Sequence, residues 1–261
     1  MVGQEQSQID YSALVEALIT PVQHAGRVIM EIYQSDLSAE TKADGSPVTK
    51  ADHAAEAILL AEIATLAPSI QIISEENVVS HNLAASQEFF LVDPLDGTKE
   101  FIKACGDGAF TVNIGLIKNA EPVMGIVFAP ALDRLFFGSL GNGAFEISGG
   151  ICRQICVRMP PAEGPVAVAS ASHRDAQTNQ WLEKRGITNS IAIGSSLKFC
   201  LIAAGEADLY PRYGPTMEWD TAAGDAVLRA AGGRVTAEDG KPFPYGKAGY
   251  RNQPFFAAGG G

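Results

Sequence analysis

The sequence predicts an α/β protein in two parts: an α+β part with a mostly antiparallel sheet over residues 1–149, and an α/β part over 150–261. Three observations predict it. Two long segments with apolar residues at helical spacing come first, and a block of apolar runs joined by short connections follows. After about residue 150, strand-like and helix-like segments alternate, the pattern of an α/β layer arrangement. At 261 residues and 46% hydrophobic, the chain can bury a substantial core.

Residues 9–34 set Ile9, Leu14, Leu18, Val22, Val28, Ile29 and Ile32 at helical spacing, with Pro21 a candidate kink. Thr49 opens a second helix, with Asp52 in its first turn, where the dipole favours an acid. That helix ends before Pro68. Strands are expected at 70–73, 88–93, 109–118, 122–129, 134–138 and 143–147, with Gly149-Gly150 as a boundary. The second part reads as strand 166–170, helix 175–186, strand 190–194, helix 196–205, strand 207–210, helix 219–231 and strands near 234–236 and 254–258.

A net charge of −11 argues against a nucleic-acid polymer as partner, which would need a basic face. An acidic protein still binds phosphates when metal ions supply local positive charge. There is no run of eighteen apolar residues and no signal-like N-terminus, so a cytoplasmic protein without a transmembrane segment is expected. Cys105, Cys152, Cys156 and Cys200 include no Cys-x-x-Cys pair and read as free, small apolar residues.

The most informative stretch is Asp93-Pro94-Leu95-Asp96-Gly97-Thr98, directly after the apolar run Phe89-Phe90-Leu91-Val92. A bend here turns Asp93 and Asp96 toward one point and leaves the Leu95 carbonyl free, the oxygen ligands a hard divalent cation takes. The Gly97 and Thr98 N–H groups can face an anion if a helical turn begins there. The alternative is an ordinary strand-turn-helix junction with Asp96 or Thr98 as N-cap. Glu75-Glu76 after a short strand and Asp220 at the start of an Ala-rich helix are further acids at element ends. Taken singly, the first is more often a solvated loop and the second more often an N-cap.

Together these segments resemble the inositol monophosphatase superfamily of Mg²⁺-dependent, lithium-sensitive phosphatases. The resemblance runs through Asp44-Gly45-Ser46-Pro47-Val48-Thr49-Lys50-Ala51-Asp52, Ser74-Glu75-Glu76, Asp93 to Thr98, and Trp219-Asp220 leading into Leu228-Arg229-Ala230-Ala231-Gly232-Gly233. Lys99-Glu100-Phe101, Ser195-Ser196-Leu197-Lys198-Phe199-Cys200 and Tyr210-Pro211-Arg212-Tyr213-Gly214-Pro215-Thr216 are similar to the bacterial 3′(2′),5′-bisphosphate nucleotidase branch.

The resemblance implies a layered α-β-α-β-α fold, two or three Mg²⁺ ions, and inhibition by Li⁺. Glu75, Asp93, the Leu95 carbonyl, Asp96 and Asp220 are the candidate metal ligands. Clustered like charges of this kind repel unless a cation sits among them. By resemblance, Thr98 and Asp52 orient and deprotonate the attacking water, and Glu76 holds metal-bound water. Asp52 alone would read as a helix-start acid. Substrate contacts implied are Glu75, Leu95, Asp96, Gly97, Thr98, His173, Ser195, Lys198, Arg212 and Asp220. The alternative for His173 is a surface-loop histidine, and for Lys198 and Arg212 it is an ordinary solvated cation. His24, His53 and His81 have no motif support.

The leading expectation is a Mg²⁺-dependent phosphatase that takes adenosine 3′,5′-bisphosphate, and with it the sulfated form, as a small phosphorylated nucleotide and yields AMP and phosphate. An inositol monophosphatase or broad sugar-phosphate phosphatase is the enzyme alternative. A metal- or phosphate-binding regulatory module is the non-enzyme alternative.

Overall fold

The computed structural model describes residues 9–35, 39–41, 47–102, 108–170 and 175–260. Helix α1 (Tyr11–Ser35) opens at Asp10, whose Oδ1 accepts the Ser12 and Ala13 N–H groups at 3.0 and 3.1 Å. It buries Leu14, Val15, Leu18, Val22 and Ile29 along one face and carries Pro21 inside its length. Helix α2 (Lys50–Leu66) starts in a capping box. Thr49 Oγ1 accepts the Ala51 N–H at 3.1 Å, and Asp52 Oδ2 accepts the Thr49 N–H at 2.8 Å. Strands β1 (Ala39–Thr41) and β2 (Pro47–Thr49) pair as a small antiparallel ribbon that the sequence pattern does not announce.

The next seven strands, β3 (Gln71–Ser74), β4 (Glu88–Asp96), β5 (Thr111–Lys118), β6 (Glu121–Ala129), β7 (Arg134–Ser139), β8 (Gly143–Ser148) and β9 (Ile151–Ile155), form one sheet in chain order. Only the β3–β4 pair is parallel. Gly149-Gly150, expected as a boundary, is the turn of the β8–β9 hairpin, so this sheet continues to Ile155. Strand β9 escapes the apolar pattern because four of its five residues are exposed on the sheet edge. Cys152 lies on that edge and is exposed, as is Cys156, whereas Cys200 is buried. Cys105 lies outside the described residues.

The strand expected to end at residue 93 runs on to Asp96, which pairs with Thr111 across a bulge that begins after Asp93. Helix α3 (Thr98–Ile102) follows at once. Between them, Gly97 sits at φ +94°, a conformation that side-chain-bearing residues rarely adopt.

Strands β10 (Ala167–Ser170), β11 (Ser190–Ile193), β12 (Leu209–Arg212), β13 (Arg234–Ala237) and β14 (Phe255–Ala258) form the second sheet, in the order β11-β10-β12-β14-β13. Helix α4 (Ala176–Lys184) covers its outer face, where Trp181 stacks on Phe256. Helices α5 (Leu197–Ala203) and α6 (Ala222–Ala230) lie between the two sheets. The result is five layers: α1 and α2, the seven-stranded sheet, α5 and α6, the five-stranded sheet, and α4.

Two apolar cores fill these layers. On β4, Phe90 and Val92 face α1 and α2, while Phe89 and Leu91 face α5 and α6. Strand alternation therefore puts Asp93 on the α6 side. Helix α6 comes unusually close there. Gly115, Gly125 and Gly138 are direct cross-strand partners on β5, β6 and β7. A Cβ on Gly115 would lie 2.7 Å from Ala222 Cβ, and one on Gly138 would lie 2.8 Å from Ala230 Cβ. A Cβ on Gly125 would lie 2.9 Å from Ala226 Cβ and closer still to the Ala223 backbone. The row is a track for the small-residue face of α6.

Gly125→Ala forces a methyl carbon against the Ala223 backbone, so the helix must lift. The expected loss is about 1–3 kcal/mol, seen as a thermal midpoint lowered by several degrees. An unchanged midpoint would show that the helix does not seat on this row.

Candidate active site

A cavity of about 350 Å³ opens where the ends of β4, α5, β12 and the turn before α6 meet, and it holds most of the candidate residues. Glu75, Asp93, Leu95, Asp96, Gly97, Thr98, Ser195, Lys198, Arg212 and Asp220 all line it. Glu76, half-buried, is not among the lining residues. His173 lies outside the described residues.

Glu75, Asp93 and Asp220 offer one carboxylate oxygen each, all within 4.8 Å of one another. Glu75 follows β3, Asp93 lies on β4 and Asp220 precedes α6, so three separate segments supply the cluster. Asp220 is no helix cap: α6 begins at Ala222, and Asp220 Oδ2 accepts the Met217 N–H at 2.8 Å within a tight turn. Asp93 Oδ1 accepts the Leu95 N–H at 3.0 Å. Its Oδ2 is buried with no hydrogen-bond partner, and so is Oδ1 of Asn113, the residue directly opposite on β5. An orphaned acceptor is satisfied by a hydrogen-bond donor or a cation, and beside converging carboxylates the negative charge favours a cation. The donor set, all hard oxygen, fits Mg²⁺.

The electrostatics agree. Burial, then repulsion from Glu75, Asp96 and Asp220, holds the Asp93 carboxyl well above the usual carboxylate range. Burial and the charges of Asp96 and Glu75 do the same to Asp220. Burial raises Asp96 to about 6, against the pull of the Lys198 ammonium. Such a cluster stays ionised at neutral pH when a cation offsets the repulsion.

Asp96 is tied in by Ser196, whose Oγ lies 3.1 Å from Asp96 Oδ2 and 2.7 Å from the Asp220 carbonyl oxygen. Ser196 is 1% exposed and joins two acid-bearing segments. Thr98 Oγ1 stands 3.2 Å from the Leu95 carbonyl oxygen, which is thus not free of the protein, and 3.4 Å from Asp52 Oδ1. The second contact is long. Asp52, 1% exposed, is held by the Thr49 N–H and by the Thr49 hydroxyl at 2.7 Å. It is both the helix-start acid and the neighbour of Thr98.

In the same cavity, Lys198 is buried and its Nζ donates to the Ser195 carbonyl at 2.5 Å. Burial lowers its pKa to about 8 despite Asp96, and Arg212 adds repulsion. Arg212 is also buried, donating from Nε to Gly214 O and from Nη2 to Pro215 O, both at 3.2 Å. Both cations are buried and bonded to backbone carbonyls, unlike exposed surface cations. Ser195 precedes α5 at φ +52°, a strained setting for a non-glycine residue in the cavity wall.

Sequence reasoning passed over Ser196, Asn113 and Glu218. Ser196 stood inside a quoted motif. Asn113 gave a signal of its own, a lone amide in the apolar run of β5. Glu218, fully buried, accepts the Gly246 and Lys247 N–H groups at 2.7 and 2.9 Å, anchoring the turn that carries Asp220.

The chain is similar to known proteins over most of its length. The inositol monophosphatase family profile matches residues 10–255. The 3′(2′),5′-bisphosphate nucleotidase CysQ of Escherichia coli (strain K12) is 45% identical over 225 residues, covering 85% of this chain and 89% of that one. The protein of the same name from Salmonella typhimurium is 44% identical over 235 residues, 89% of this chain and 94% of that one. The crystal structure of CysQ from Bacteroides thetaiotaomicron superimposes with a TM-score of 0.82 at 35% identity, covering 97% of this chain and 99% of that one. With the profile spanning nearly its whole length and relatives this similar, the chain belongs to the inositol monophosphatase family.

Proposed function

We propose that this chain is a Mg²⁺-dependent 3′(2′),5′-bisphosphate nucleotidase of the cytoplasm, inhibited by Li⁺, that hydrolyses the 3′-phosphate of adenosine 3′,5′-bisphosphate and accepts the sulfated nucleotide too. The observation that carries the reading is that two charge sets line one cavity: the converging carboxylates Glu75, Asp93 and Asp220, and the buried cations Lys198 and Arg212. Relatives at 44–45% identity bearing that name support the substrate class. The volume of about 350 Å³ falls within the range of small-molecule sites.

Glu75, Asp93, Asp220, Asp96 and the Leu95 carbonyl would hold the metal. Bound Mg²⁺ supplies charge against the phosphoryl oxygens and acidifies water. Asp52 accepts a proton through the Thr98 hydroxyl, which orients the nucleophile. Ser195, Lys198 and Arg212 receive the second phosphate, where charge-assisted hydrogen bonds add affinity and direction. Gly97 lets the backbone come close to the scissile group. Glu76 and His173 have supporting roles, at the metal's water and the nucleotide respectively.

Asp93→Asn tests the metal reading. Asparagine keeps the oxygen that accepts the Leu95 N–H and removes the charge. Turnover should fall by more than the ~100-fold typical of losing an outer partner. The metal-free thermal midpoint should hold or rise, because repulsion within the cluster is relieved. Retained turnover at saturating Mg²⁺ would sink the ligand assignment.

A pH series gives an independent check. The Asp96 carboxyl titrates at about 6 in the folded chain, against about 3.9 in an unfolded one. A raised carboxyl contributes stability that is present below about pH 4 and lost as pH rises through about 6. Mg²⁺ competes with that proton. Added Mg²⁺ should therefore raise the thermal midpoint more at pH 7.5 than at pH 5. A rise of equal size at both would place the cation elsewhere.

Arg212→Ala separates the nucleotidase from the broad phosphatase. Charge-assisted bonds contribute about 1.5–3 kcal/mol, so kcat/KM for adenosine 3′,5′-bisphosphate should drop roughly ten- to a hundredfold. Phosphate release from inositol monophosphate by the same protein should change little. Equal losses on both substrates would favour the broad phosphatase.

A further inference from the structure

His81 lies outside every motif that carries the family resemblance, in the short 3₁₀ turn Ser80–Asn82 that follows Glu75 and Glu76. Its Nε2 stands 2.8 Å from the Ser74 carbonyl oxygen. A carbonyl only accepts, so Nε2 carries the hydrogen. The same ring stacks on Trp219, with centroids 4.6 Å apart and planes 23° from parallel. Ser74 immediately precedes Glu75, and Trp219 immediately precedes Asp220. One side chain thus grips the neighbours of two of the three converging carboxylates.

These two segments have different anchors. Glu75 leaves β3, the edge strand of the seven-stranded sheet, which is paired on one side only. Asp220 belongs to the turn that leads into α6, which is seated on the glycine row further across the sheet. The loop after Glu75 has little burial of its own to fix it, since Val78 and Val79 are 68% and 76% exposed. It is held instead at two points over Trp219 and Tyr250. His81 is the first. The second is the Tyr250 hydroxyl, which donates to the Leu83 carbonyl at 2.7 Å while its ring lies 6.3 Å from that of Trp219. Ser80 sets the turn that presents His81: its Oγ accepts the Ser74 N–H at 3.1 Å and donates to Asn77 O at 2.6 Å.

We propose that His81 is a positioning residue that clamps the Glu75 segment to the Asp220 turn and so fixes the spacing of the divalent-cation site; the inference rests on the metal reading above. Carboxylates brought together repel, so an unclamped cluster would spread and each incoming cation would have to reassemble it. Holding the two backbones in place removes that cost from binding, as preorganisation does generally. The position asks for a flat ring and a donor in one side chain. Phenylalanine supplies only the ring, and glutamine only the donor.

The test is a calorimetric titration of the full chain with Mg²⁺, run on the natural protein, His81→Ala and His81→Phe, beside the thermal midpoint of each without cation. His81→Ala should weaken Mg²⁺ binding about tenfold, the scale on which outer partners tune metal affinity. The Mg²⁺ concentration for half-maximal phosphate release should rise by the same factor, with kcat at saturating Mg²⁺ largely kept. His81→Phe, which preserves the stack on Trp219, should fold with a midpoint close to the natural protein and lose less affinity than the alanine variant. Natural affinity in both variants, or a lowered midpoint with unchanged affinity of the folded protein, would overturn the clamp. Absence of Mg²⁺ binding by the natural protein would overturn the metal reading itself, and the clamp with it, before any substitution is made.

Discussion

The contact on which the site depends is the seating of α6 on the row Gly115, Gly125, Gly138. Three strands give up their side chains at directly paired positions, and the helix answers with Ala222, Ala223, Ala226 and Ala230. The other side of α6 is as tight. A Cβ on Gly224 would lie 2.6 Å from the Phe199 ring of α5, so the helix is pinched between sheet and helix. Glycine inside a helix costs about 1 kcal/mol relative to alanine, and packing on both faces offsets it. Asp220 stands two residues before this helix and Asp93 on the neighbouring strand, so the depth of the helix sets their separation.

Polar anchors then fix the end of the helix that packing alone would leave free to slide. Glu218 binds the backbone at Gly246 and Lys247 and pairs with the Lys247 ammonium at 2.7 Å. Asn252 Nδ2 donates to the Met217 carbonyl at 2.7 Å. Asp225, fully buried, meets Arg229 at 2.7 Å and the Tyr245 hydroxyl at 3.1 Å. Breaking a buried ion pair on one side is far more costly than the pair is stabilising, so these groups act chiefly as positional constraints. They hold the turn from Thr216 to Thr221 in one geometry, with its carboxylate aimed at β4.

Around that frame stand the charged groups of the cavity, among them Lys99 and Glu100 of α3. The converging acids come from the seven-stranded sheet and the turn before α6, while the cations Lys198 and Arg212 come from α5 and the five-stranded sheet. The cavity sits on the seam between the two sheets. Ser196 and His81 both cross seams of this kind, linking segments remote in sequence, and neither contributes a charge of fixed sign.

Much of the molecule was legible in the sequence because the signals are local. The apolar run before Asp93 marked a strand that ends in a bend, Thr49 and Asp52 marked a helix start, and Gly97 marked a turn. The run of motifs identified the family, and the two-sheet layering followed the shift from hairpins to alternating elements. What the sequence misplaced was also local: the edge strand β9, whose exposed residues carry no apolar period, and the end of β4, where a bulge lets pairing pass through Pro94. Only the tertiary structure decided which acids share a point. Glu75, Asp93 and Asp220 bring one oxygen each within 4.8 Å of one another, and Asp96 stands beside them, bonded to Ser196 and close to Lys198, an arrangement that depends in part on how α6 seats on the glycine track. It alone showed that Lys198 and Arg212 are buried and already bonded, and that His81 and Asn113, without any motif, touch the frame of the site. Contacts between residues 18 to 145 positions apart leave no period along the chain; they arise when two sheets close over one helix layer.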